Sequence, residues 1–248
     1  MCYRYSNTQG KVNALLDELD KQEAEEKLYF NHASGFDKRV LPVVTADVPG
    51  KVQLYAWGLI PHWTKDKAGA ERAMLQNLNA RSETIYELPS FKSYIPKKRC
   101  LIPATAFFDF RHGDKKDTYP YLVEVKDEDN PERLRGFFFA GIYSHWQEPD
   151  SGKVLRTFTI ATAPANELMS YVHNSKMRMP VILSKADELK WLDSNTGPDE
   201  IKRMLQPYPS QLMSAHTITK RLTSRKENPD APEVLEPANY IGVKERLN

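Results

Sequence analysis

Cysteine is almost missing from this chain of 248 residues. Only Cys2 and Cys100 occur, too few for a disulfide scaffold and not in a zinc-type spacing, so no metal site is expected. Long apolar runs are missing too. The strongest, Gly136–Tyr143 (GFFFAGIY), is far too short to cross a bilayer, and the leading MCYRYSNTQG lacks the apolar stretch of a signal peptide. There is no excess of either charge: 35 basic residues meet 33 acidic ones, a net +2, so global charge selects neither nucleic acid nor membrane as a partner. Repeats, low-complexity tracts and long linkers are likewise absent. The expectation is one cytoplasmic globular domain without a membrane partner and with nothing that demands a dimer, so a monomer.

Charge is uneven locally. Six acids and one lysine fall in residues 17–26, whereas basic residues gather at Lys97–Arg99, Arg111–Lys116, Lys176/Arg178 and Lys220–Lys226. Such clusters are ordinarily solvated surface, with nucleic-acid contact the sharper alternative. Val12, Leu15, Leu16 and Leu19 recur at helical spacing and predict a helix over 9–28 capped by Thr8 or Asn7. Strand-like runs follow at 40–45, 52–56, 99–102, 106–111, 119–126, 136–145, 154–162, 180–183 and 215–219, with a turn at Val48-Pro49-Gly50-Lys51. Short helices are expected from Pro164 to Val172, from Ser184 to Leu192 and from Pro198 to Leu205. Strands outnumber helices without alternating with them, which predicts an α+β fold rather than a doubly wound parallel sheet.

Few residues carry distinctive chemistry. Removal of Met1 would leave Cys2 with an α-amine and a thiol on adjacent carbons. That amine has an ordinary pKa near 8, so much of it is neutral at physiological pH. A 1,2-aminothiol condenses with an aldehyde to an imine, and its thiol then closes a thiazolidine by a favoured intramolecular step. On position alone, an incidental cysteine is the simpler reading, and the thiol could equally attack an amide. Asp109 sits in the run Phe107-Phe108-Asp109-Phe110, where alternation sets it on the face of Phe107. A carboxyl so surrounded needs a partner or a task, a structural ion pair being the plain account. His173 lies between a short helix and a strand and reads as either a packing residue or a catalyst. Asn79 and Arg81 flank a predicted helix start near Ser82, as capping or as an amide and guanidinium suited to sugar and phosphate. Trp57 and Trp63 read as core, or as platforms for unpaired bases.

Taken in order, these pieces resemble the SRAP family of abasic site processing proteins: Met1-Cys2-Tyr3-Arg4-Tyr5, Trp57–Trp63 (WGLIPHW), Asn79–Glu83 (NARSE), Arg99–Ala104 (RCLIPA), Phe107–Phe110 (FFDF), Phe158–Thr162 (FTIAT), His173-Asn174 and Arg178–Leu183 (RMPVIL). The resemblance spans residues 1 to about 220; the domain is placed at 1–225, with 226–248 as a tail laid on the surface. It implies a single-domain, largely antiparallel sheet or barrel-like core with peripheral helices. It also implies a DNA-damage response enzyme that traps the ring-opened sugar of an abasic site in single-stranded DNA on Cys2, with lyase and autopeptidase activity at the same centre. No cofactor is implied; the replication machinery is an implied partner, and the nucleoid the location in a bacterium. In that reading Cys2 supplies amine and thiol, Asn79 orients the sugar, and Asp109 and His173 move protons. Arg4, Arg81 and Arg178 hold phosphates, while Trp57, Trp63 and Met179 form or support the surface that splays the strand. Three positions depart from the family: Tyr3 replaces the usual glycine, Asp109 replaces a glutamate, and Ser175-Lys176-Met177 is inserted between His173-Asn174 and Arg178. Two alternatives stand beside this one, an amide hydrolase or peptidase with an amino-terminal cysteine nucleophile, and a catalytically silent single-strand binder.

Overall fold

A computed structural model describes residues 3–114, 117–224 and 226–247. Fourteen strands and five α-helices appear among them. Strands β3 (Val40–Thr45), β4 (Val48–Trp57), β6 (Arg99–Ala104), β10 (Phe137–Gln147) and β11 (Val154–Pro164) pair in the ring β10-β6-β3-β4-β11 and back to β10. Five strands therefore close into a barrel, which removes the exposed edges of an open sheet. Every junction is antiparallel except β4 with β11, a short parallel contact at Thr157↔Ala56 and Phe158↔Trp57. Two short strands extend β11 outward: β5 (Asn79–Arg81) runs parallel to it and β12 (Arg178–Pro180) antiparallel.

The second sheet is open, in the order β14 (Arg246–Leu247), β13 (Met213–Thr217), β8 (Thr118–Lys126), β7 (Ala106–His112), β1 (Arg4–Asn7) and β2 (Phe30–Ser34), with β9 (Leu134–Arg135) also paired to β8. Tyr5, Phe107, Tyr121 and Val123 from this sheet share one buried cluster with Trp57, Phe139, Phe158 and Ile160 from the barrel. Burial of these aromatics is the dominant favourable term holding sheet to barrel. Phe108, on the opposite face of β7, packs instead with Leu222 and Val234, and the strand alternation read from the sequence is thus observed. The segment after residue 226 is tied in by buried Val234, by the β14 pairing and by Tyr240, whose hydroxyl donates to the Ile218 carbonyl at 2.7 Å.

The α+β class and the barrel-like core with peripheral helices are as expected; several local readings are corrected. The first helix, α1, covers only Gln9–Leu15. Beyond it the chain pairs with the barrel instead: the Asp20 amide donates to the Gly50 carbonyl and Val52 returns the bond to Asp20. The first hairpin turns at Ala46–Asp47, so Val48–Lys51 already belong to β4. Residues 79–81 are a strand because Ile160–Thr162 offer a free edge, and no helix starts at Ser82. Pro164 ends β11, and Asn166 caps α3 (Glu167–Val172) by accepting the Met169 amide at 2.8 Å. Helices α4 (Lys185–Leu192) and α5 (Pro198–Met204) fall where expected, and α2 (Lys67–Gln76) was not anticipated. Gly58, which follows β4, has φ of +116°, and a Cβ there would lie 2.3 Å from the Met74 carbonyl oxygen, so only glycine fits this approach to α2.

Candidate functional site

Strand β7 carries Asp109 out of the core to the floor of a cleft of about 300 Å³, and the end of α3 brings His173 to meet it. Both side chains are buried, each residue only 6% exposed. His173 Nδ1 lies 3.0 Å from the Arg178 carbonyl and 3.2 Å from Asp109 Oδ2. A carbonyl can only accept, so Nδ1 carries the ring proton and Nε2 is the basic nitrogen of the neutral ring. Asp109 Oδ1 accepts the Phe110 amide at 2.9 Å. Burial pushes the Asp109 carboxyl up to about 7 and pulls the His173 imidazole down to about 4. Between those values the carboxyl holds its proton and the ring does not, which gives a proton donor and a proton acceptor side by side.

The walls come from β1 and its neighbours. Tyr3 and Arg4 line the cleft, with Tyr3 tilted against Phe36 at 5.2 Å between ring centroids. The Arg4 guanidinium stands 5.7 Å over the Phe110 ring. Phe36, His112 and Lys176 complete the rim without having been read as site residues. The only sequence signal for them was the basic run around Arg111 and the insertion at 175–177. Cys2 lies outside the described residues.

The other expected residues divide. Asn79 does not line this cleft; both its amide atoms are buried without a hydrogen-bond partner among the described residues. Arg81 is exposed at the end of β5. Arg178 is buried and committed: its guanidinium forks onto both oxygens of Glu83, and also donates to the Thr162 carbonyl at 2.8 Å and hydroxyl at 3.0 Å. Trp57 is core, its indole N–H donating to the Leu78 carbonyl at 2.8 Å, and Met179 is fully buried. Neither presents a face to a nucleic-acid strand, so each can only support such a surface. Trp63 is 54% exposed and stands over a different groove, beside Lys65 and Arg72. No group of three or more potential metal ligands is found among the described residues, and none of their helices is long and apolar enough to cross a membrane.

The fold, a sheet packed on a five-stranded barrel, agrees with what comparison with known proteins finds. The chain belongs to the SOS response associated peptidase (SRAP) family, whose model matches residues 1–225. It is 36% identical over 200 residues to the abasic site processing protein YoqW of Bacillus subtilis, spanning 80% of this chain and 82% of that one. To the abasic site processing protein HMCES of Gallus gallus it is 32% identical over 205 residues, spanning 77% of this chain and 58% of that one. A crystal structure of a protein from Bacteroides thetaiotaomicron matches with a TM-score of 0.85 at 33% identity, over 96% of this chain and all of that one.

Proposed function

We propose that this protein processes abasic sites in single-stranded DNA by trapping the ring-opened sugar on Cys2 after Met1 is removed. The observation that carries the reading is the Asp109–His173 pair at the floor of a cleft whose wall includes Tyr3. Tyr3 is joined to Cys2 by one peptide bond, so their Cα atoms are about 3.8 Å apart. The names of the abasic site processing relatives add weight.

The steps follow from acid–base chemistry. The abasic sugar is a hemiacetal; His173 Nε2 takes the proton of its anomeric hydroxyl while the Asp109 carboxyl protonates the ring oxygen, and the aldehyde opens. The Cys2 amine adds to C1′, and the same pair assists loss of one water to give the imine. The Cys2 thiol then adds to the imine carbon, its proton passes to nitrogen, and a thiazolidine closes. Aldehyde and aminothiol thus yield ring and water, with no oxidant or cofactor. Arg4 and Arg81 serve the phosphates and Trp63 receives an unpaired base, whereas Asn79, its amide buried away from this cleft, takes no part in holding the sugar. Two further activities belong to the same centre: strand scission by β-elimination from the imine, and removal of a segment ahead of Cys2 by its thiol. The protein would act as a monomer where replication exposes single strands, at the nucleoid in a bacterial cytoplasm.

The test is intact mass before and after incubation with an abasic single-stranded oligonucleotide. Wild type lacking Met1 should gain the oligonucleotide mass minus one water and keep it through heat and denaturant. Cys2→Ala, and a chain retaining Met1, should bind the strand yet give no stable adduct. Full-strength adduct from either variant would sink the mechanism.

A further inference from the structure

The family resemblance gives Arg178 a phosphate to hold, but the folded chain has spent that guanidinium on Glu83 and Thr162. A phosphate arriving there would meet the Glu83 carboxylate, already held in its charged form by the Arg178 hydrogen bond. The three-residue insertion brings a different cation to the site. Ser175 and Lys176 both line the cleft above Asp109 and His173. Among the described residues Lys176 makes no ion pair. Burial is the main cause of the lowered proton affinity of His173, and the nearby Lys176 charge adds to it.

The loop that carries Lys176 is pinned at both ends. The Asn174 side chain accepts the His112 amide at 2.9 Å and donates to the His112 carbonyl at 2.8 Å, which ties the loop to the end of β7. The Met177 amide donates to the His173 carbonyl at 3.0 Å, and Ala165 donates to the Met177 carbonyl at 2.9 Å. Met177 pays for this closure with a left-handed backbone, φ 51°. The insertion is therefore a built turn whose tip faces the cleft, and a cation fixed there loses less entropy on meeting a ligand than one on a loose loop.

We propose that Lys176 is a strand-binding residue of this chain, taking a backbone phosphate of the single strand beside the sugar that sits over Asp109 and His173, in place of Arg178. The inference rests on the DNA-processing reading above and adds a contact that the rest of the family motif does not supply. Asn174 is a positioning residue for it, acting through the His112 backbone.

The experiment is a salt titration of binding, using the full chain and an undamaged single-stranded oligonucleotide, then the same oligonucleotide with one abasic site. Each phosphate contact adds about 0.7 to the steepness of log K against log salt for a single strand. Lys176→Gln should flatten that slope by about 0.7 for both strands, so a fourfold rise in salt costs it about 2.6-fold less affinity than wild type. Lys176→Arg should restore the slope. Lys185→Gln, a charge removed from the Asp127 and Asp129 ion pairs elsewhere, should leave the slope at the wild-type value. An unchanged slope in Lys176→Gln, or an equal loss in Lys185→Gln, would overturn the assignment. Wild type that binds with a salt-dependent slope yet forms no adduct would instead refute the trapping mechanism and leave Lys176 standing.

Discussion

Two buried carboxyls in this molecule carry the same perturbation and live in opposite settings. Burial pushes Asp109 up to about 7 and Glu188 up to about 7. Asp109 faces His173, a group that itself titrates. Glu188 faces Arg135, which shares its charge with Glu128 at 2.7 Å and reaches Tyr208. Guanidinium never loses its proton in a protein, so the second cluster cannot pass one along. A perturbed carboxyl therefore does not by itself mark a reactive site. The partner decides: imidazole beside a carboxyl makes a proton relay, whereas guanidinium between two carboxylates makes a tie between β9 and α4.

The sharpest way to break that contrast is to neutralise each carboxyl in turn. Asp109→Asn removes the proton donor and should slow single-turnover adduct formation by about a hundredfold or more, within the range of general acid–base catalysis. Glu188→Gln should leave the rate within twofold of wild type. Equal rates for the two variants would remove Asp109 from the chemistry.

Stability should divide the regions the other way. Arg135→Met leaves the Glu128 carboxylate without its counter-charge, and Glu188 without the guanidinium beside it, in a site where the Arg135 side chain is 9% exposed. Removing one partner of a buried pair costs about 3–5 kcal/mol, read as a lower midpoint in urea denaturation. The folded fraction should still form adduct at the wild-type rate. A midpoint unmoved by the loss of Arg135 would show that this cluster contributes nothing to holding β9 and α4 together.

Sequence reading reached these regions unequally, for physical reasons. β3, β7 and β8 were legible as short runs of β-branched and aromatic residues, which these strands bury over several consecutive positions on both faces. Asp109 stood out because a carboxyl in an aromatic strand contradicts its surroundings. The Arg135 cluster was invisible, since its members at 128, 135, 188 and 208 are brought together only by tertiary packing. The barrel closure between β4 and β11 was equally hidden, being a parallel contact of two residue pairs across a hundred residues of chain. The helix read over 9–28 failed where the Gly50–Val52 backbone competed for Asp20. The ion pair of Arg178 could not be read, because its partner, Glu83, lies 95 residues away, although Glu83 closes the motif Asn79–Glu83.

The contrast can also be tested through proton binding alone, without DNA. Asp109 and Glu188 both release protons at higher pH in the folded chain than in the unfolded one. From about pH 4 to about 7 the folded state thus binds protons that the unfolded state has lost, and stability falls as pH rises. His173 has the opposite sign. It stays neutral in the folded chain down to about 4, against an ordinary 6.5, so it contributes stability that grows from about pH 4 to 6.5. The Asp109 cleft therefore combines a falling limb with a rising one that offsets it, while the Arg135 cluster has only a falling limb. Thermal melting between pH 4 and 8 should separate them. Asp109→Asn and Glu188→Gln should each gain on wild type as pH rises, by on the order of 3 kcal/mol at the upper end. His173→Gln should gain on wild type only as pH falls below about 6. Profiles parallel to wild type for all three would mean that neither region holds its protons as the buried geometry requires.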